Sequence, residues 1–104
     1  MENKDLMDSI LEDFELLERH ISVLRTVKAN EPIGLIRLSE ITEIPKHKVR
    51  YSLKLLERDG IIIATPDGAV VSDEYGHYLE LMTEYIGHLE DRIHVLRDML
   101  DGGS

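Results

Sequence analysis

The sequence predicts a mainly α protein with one small β-hairpin. Three observations carry that prediction. Two long stretches, one at each end, repeat apolar residues at alternating intervals of three and four, the mark of helices with an apolar stripe. Between them lies a short basic segment at helical spacing, bounded by Pro45 and Gly60. Two short β-prone runs follow, joined by Thr65-Pro66-Asp67-Gly68, which has Pro and Gly where a four-residue turn wants them.

The first element runs from about Asp5 to Ala29. Its stripe is Met7, Ile10, Phe14, Leu17, Ile21 and Leu24, a heptad pattern. Pro32 ends it, because a residue before proline avoids the helical region. So long a helix in a small domain needs something for its early turns to pack on. Ile33 is expected as a single-residue strand in the connector. A second helix follows from about Leu35 to Thr42, with Leu35, Leu38 and Ser39 inward. Glu43-Ile44-Pro45 is a tight turn plugged by a buried Ile44.

The segment 45–59 organises the chain. Val49, Leu53 and Leu56 share one face of a helix; Lys46, His47, Arg50, Tyr51, Lys54 and Arg58 occupy the others. Pro45 suits a first turn, where a backbone N–H has no partner to lose. Gly60 suits the left-handed residue that ends a helix. A helix held by its apolar side and basic outside can enter a DNA major groove. Ile61 to Ala64 and Ala69 to Val71 then form the hairpin. Ser72 or Asp73 caps the last helix, which reaches about Leu100. Its seam is Tyr75, Leu79, Met82, Ile86, Leu89, Ile93, Leu96 and Leu100, read as a dimer interface. Ile at one heptad position and Leu at the other favour two parallel strands. Antiparallel pairing would instead join Glu90 to Arg97, so the direction stays open. A second stripe, Tyr78, Leu81, Tyr85, Val95 and Met99, widens the apolar arc enough for two neighbours, the first helix and a second chain. Asp101 to Ser104 reads as a frayed tail or cloning remnant.

Composition narrows the function. The 104 residues include no cysteine, which excludes disulfide and thiolate chemistry and favours a reducing cytoplasm. No leader or membrane span is expected. Net charge is −9, unevenly spread. Residues 1–18 carry seven acids and one Lys; residues 19–58 carry nine Lys or Arg and four acids; residues 59–104 carry ten acids and two Arg. A basic centre thus lies between acidic ends. Acidic dimer helices would suit a salt-rich cytoplasm, where ions screen their repulsion. His77, Glu84, His88 and Asp91 fall near one side of the last helix and read as a solvated face rather than a metal site. No nucleophile elbow, glycine-rich phosphate loop or HExxH pattern occurs, so neither an enzyme nor a cofactor is expected. Tyr75, Tyr78 and Tyr85 read as core and seam residues rather than a ligand pocket; no effector is assigned.

The ordered set Leu38, Ile44, Val49, Leu53, Leu56, Gly60, Ile61 resembles the winged helix-turn-helix of bacterial and archaeal transcription regulators. VVSDEYGHYLELM looks like the passage from wing to dimerisation helix in such proteins. The resemblance covers roughly Ile21 to Leu81, and the terminal helices look like those of MarR-type, PadR-type and small archaeal coiled-coil members. It implies an N-terminal dimerisation extension (1–20), a winged helix-turn-helix domain (21–73) and a C-terminal dimerisation helix (74–104). It also implies a homodimer that inserts helix 45–59 into the major groove of double-stranded DNA. The DNA-binding set carried over is Arg37, Lys46, His47, Lys48, Arg50, Tyr51 and Lys54, with Arg25 and Lys28 weaker. Two departures stand out. The tip Thr65 to Ala69 has no cation and carries Asp67, which implies little DNA contact from the wing. Glu43 stands where Gly is common. The other reading is a protein-docking module that binds no DNA.

Overall fold

Asp5 opens the first helix: its carboxylate accepts the Asp8 N–H at 2.9 Å, satisfying one of the donors a helix start leaves unpaired. The computed structural model describes residues 5–102. Among these, the order is α1 (Leu6–Asn30), α2 (Leu35–Thr42), α3 (Lys46–Arg58), β1 (Ile62–Thr65), β2 (Gly68–Val71) and α4 (Tyr75–Asp101). The chain is therefore mainly helical, with long terminal helices and a small antiparallel hairpin. It divides into two compact units, Met1–Asp73 and Glu74–Ser104. α1 is unbroken through residues 20 and 21. Of the expected frayed tail, Gly103 and Ser104 lie outside the described residues, and Asp101 is still helical.

The core of the first unit is Val23, Leu24 and Val27 of α1, Leu38 of α2, Val49 and Leu56 of α3, and Ile33, Ile61, Ile62 and Ala69 around the hairpin. α1 packs on α2, α3 and β2. Its expected stripe is covered only toward the end: Leu24 is buried, with Val23 and Val27 beside it, Leu17 and Ile21 are half-buried, and Met7, Ile10 and Phe14 are exposed. α2 keeps its expected bounds, and Ser39, Thr42 and Glu43 shape the turn after it. The Ser39 hydroxyl donates to the Ile44 carbonyl at 2.6 Å, and Thr42 Oγ1 donates to the Leu38 carbonyl at 2.7 Å. Glu43 sits left-handed at φ 57°, a conformation that costs a non-glycine residue about 1–2 kcal/mol. Ile44 is half-buried rather than a sealed plug, because hydrogen bonds carry much of the turn.

α3 ends in a paired-bond cap. Gly60, at φ 78°, donates to the Glu57 carbonyl, and Ile61 donates to the Leu56 carbonyl at 2.9 Å. This arrangement satisfies two terminal carbonyls and buries Ile61 with Leu56. It also explains why β1 begins at Ile62, one residue later than expected. Pro45 is the cap residue before α3, not its first helical residue.

The hairpin pairs Ile62 with Val71 and Thr65 with Gly68. Ile33 forms the expected single-residue bridge, to Ala69, through two backbone bonds of 3.1 and 2.7 Å. Gly68, at φ 130°, lies so close to this crossing that a Cβ would stand 2.6 Å from the Ile33 carbonyl carbon. Only glycine fits there. Glu31 Oε1 accepts the Val71 N–H at 2.9 Å, fastening β2 to the end of α1.

α4 starts later than expected. Neither Ser72 nor Asp73 caps it; Glu74 is the cap residue and makes no side-chain cap bond. The Ser72 hydroxyl donates to the Gly60 carbonyl at 2.6 Å, so it is used to close the hairpin's base. No residue of α4 is buried. Along its expected seam Ile86, Ile93, Leu96 and Leu100 are exposed, and Tyr75, Leu79, Met82 and Leu89 are half-buried. Among the described residues, no helix is long and apolar enough to cross a membrane.

Candidate nucleic-acid interface

α3 is seated by Val49, Ser52 and Leu56, all buried. Leu53, expected beside them, is half-buried at the edge of that face. With about 100° of turn per residue, Arg50, Lys54, His47 and Tyr51 fall within an arc of about 100° on the opposite side. All four are exposed. Lys46 lies at the margin of that arc. Lys48 is exposed too, but its position on the helix sets it apart from the others. Arg37 is exposed in the first turn of α2. Among the described residues, none of Arg37, Lys46, Lys48, Arg50 or Lys54 forms an ion pair. Lys28 is different: its ammonium approaches Glu31 Oε2 at 3.8 Å. Arg58 pairs with Asp59 at 3.2 Å.

The hairpin flanks one edge of α3. Arg50, Leu53 and Lys54 face Ile62, Ala64 and Ala69 across a groove of about 200 Å³. The aliphatic stems of Arg50 and Lys54 have apolar surface to lie on while their charged ends reach water. A larger hollow of about 570 Å³ between α1 and α2 has Glu18 and Arg25 at its sides and Ile21, Ala29 and Ile41 among its lining. It is open, and none of the residues of the cationic arc lines it, so the candidate interface is the exposed face of α3.

The other edge of α3 meets α1 through two residues that sequence reasoning missed. Ser52 is fully buried. His20 Nδ1 lies 2.7 Å from Ser52 Oγ. The His20 ring also stands 6.2 Å from the Tyr51 ring, tilted by 35°. Partial burial pushes the His20 imidazole below its usual range, and the Arg19 cation pushes the same way. The signal in the sequence was position: Ser52 lies three residues after Val49 and four before Leu56, and His20 lies three, four and seven before Val23, Leu24 and Val27.

The arrangement suits polyanion binding. It offers cations, an imidazole and an aromatic hydroxyl on one exposed helical face; among the described residues Arg50 and Lys54 form no ion pair, and Arg58, at the end of the same face, is paired with Asp59. Among the described residues, no group of three or more His, Asp or Glu is placed to hold a metal ion. Compared with known proteins, the chain matches no family profile and no curated protein.

Proposed function

We propose that this chain is a DNA-binding transcriptional regulator of the winged helix-turn-helix type, working as a homodimer in the cytoplasm. In this reading α3 is the recognition helix, the hairpin is the wing, and α4 with the early turns of α1 joins two copies. Two recognition helices would then meet half-sites about one helical turn apart. The observation that carries the reading is the exposed cationic face of α3, on which Lys46, Arg50 and Lys54 form no ion pair among the described residues, in a chain of net charge −9. Acidic chains have no general reason to gather exposed cations on one short helix. Arg50 is suited to guanine, while Lys46, Lys54 and Arg37 are suited to phosphates.

Mobility shift with duplex DNA tests it. Binding should weaken steeply as salt rises. Lys46→Ala with Arg50→Ala should lower affinity and flatten the salt dependence by about two units of slope, one lost Lys46–phosphate contact in each protomer of the dimer. Unchanged binding removes these residues from the interface. The second reading, a protein-docking module, is favoured by the hairpin tip, which carries Asp67 and no cation, and by exposed Ile36, Ile41 and Ile63. Absence of any duplex binding at low salt decides for it.

A further inference from the structure

Ser52 is the one buried polar side chain among the described residues, and its partner comes from another helix. A buried hydroxyl needs a hydrogen-bond partner, and His20 Nδ1 supplies it across 32 positions of sequence. The next residue on α3, Tyr51, is about 100° further round the helix. Tyr51 is 47% exposed, and its ring stands beside the same imidazole. One ring on α1 therefore touches two consecutive residues of α3, one pointing in and one pointing sideways and out.

We infer that His20 is a positioning residue for the DNA-facing surface: its Nδ1 fixes the rotation of α3 through Ser52, and its ring holds the Tyr51 side chain ready for nucleic acid. This rests on the DNA-binding reading above. The separation of 6.2 Å lies within the range of an aromatic pair. A tyrosine already held in place loses less side-chain freedom on binding than one free to rotate.

The two roles of His20 are separable. An asparagine keeps a polar atom at the δ position for Ser52 and removes the ring from Tyr51. The experiment measures affinity for a random-sequence duplex at low salt by fluorescence anisotropy. It compares wild type, His20→Asn, Tyr51→Ala and the double variant. His20→Asn should stay folded and bind about threefold to tenfold more weakly, the range of an aromatic contact. In the Tyr51→Ala background it should have no further effect, since a residue acting through another has nothing left to act on. Equal losses with and without Tyr51, or wild-type affinity in His20→Asn, overturn the inference. Should His20→Asn not fold, His20→Ala in a Ser52→Ala background, which has no buried hydroxyl to satisfy, takes the same measurement against Ser52→Ala. Wild-type protein that binds no duplex overturns this inference and the DNA reading together. Wild-type protein that binds, with His20→Asn unaltered, overturns this inference alone.

Discussion

From Leu6 to Glu15 every residue of α1 is exposed; from Val23 to Val27 three of five are buried. The two stretches differ little in apolar content, since Leu6, Met7, Ile10, Leu11 and Phe14 make up half of the first and Val23, Leu24 and Val27 three of five in the second. They differ in neighbours, because α2, α3 and β2 pack on α1 and its buried residues all lie in its second half. Periodicity reports which side of a helix wants cover and is silent on what provides it. α4 repeats the lesson at greater length: Leu81, Tyr85, Ile86, Ile93, Val95, Leu96, Met99 and Leu100 are all exposed. A contiguous apolar face of this kind points to a partner, and the proposed homodimer would supply one.

The contrast predicts unequal costs for equal truncations. Leu24→Ala should lower stability by about 2–5 kcal/mol, the usual cost of truncating a buried leucine. Leu11→Ala should change it by less than about 0.5 kcal/mol in dilute protein. Urea denaturation at low concentration measures both, and equal losses would erase the distinction. Association should show the reverse order. Ile10→Ser with Phe14→Ser should weaken self-association at least tenfold, about 1.4 kcal/mol, while leaving the dilute protein as stable as before. Sedimentation equilibrium reads this directly. Because residues 1–18 and 59–104 are strongly acidic, added salt should tighten wild-type association; a dimer that falls apart as salt is added contradicts it.

A change outside both halves of α1 serves as a control. Glu43→Gly relieves the left-handed strain at φ 57° and should raise stability by about 1 kcal/mol. The gain should not depend on protein concentration. It should also tighten DNA binding slightly, since an exposed carboxylate leaves the neighbourhood of α3.

The smallest effect belongs to His20, in the stretch between the two halves. Its folded-state pKa is lowered, first by burial and then by Arg19, so the unfolded chain holds the proton more readily. The stability that follows is fully present above the unfolded value near 6.5 and is lost as pH falls below it. The thermal midpoint should therefore drop more between neutral and mildly acid pH in wild type than in His20→Asn. Identical profiles would show that the imidazole contributes nothing.

Much of this architecture was legible beforehand. The bounds of α2, the bridging role of Ile33 and the hairpin follow from turn residues and spacing, because backbone geometry dictates them locally. Less was readable where tertiary contact decides. The heptad line from Met7 to Leu24 is the longest apolar run on α1, yet only Leu24 of it is fully buried, together with Val23 and Val27 beside the line. Ser52 and His20 escaped because a polar residue on an apolar face reads as surface until its partner is known. Ser72 looked like a helix cap and instead closes the base of the hairpin. The cationic arc was visible in the spacing of Arg50, Tyr51 and Lys54; the hairpin groove beside Arg50 was not.

The crowding at Gly68 has a practical corollary for anyone wishing to redesign this molecule. Thr65 and Gly68 clasp each other, with the Thr65 hydroxyl donating to the Gly68 carbonyl at 2.6 Å, so the loop they close behaves as a cassette with fixed hinges. Pro66 and Asp67 form its exposed tip. Arginine or lysine grafted at 67 would turn an anionic fingertip into a cationic one without disturbing the strands beneath, whereas any side chain at 68 would prise the whole finger loose.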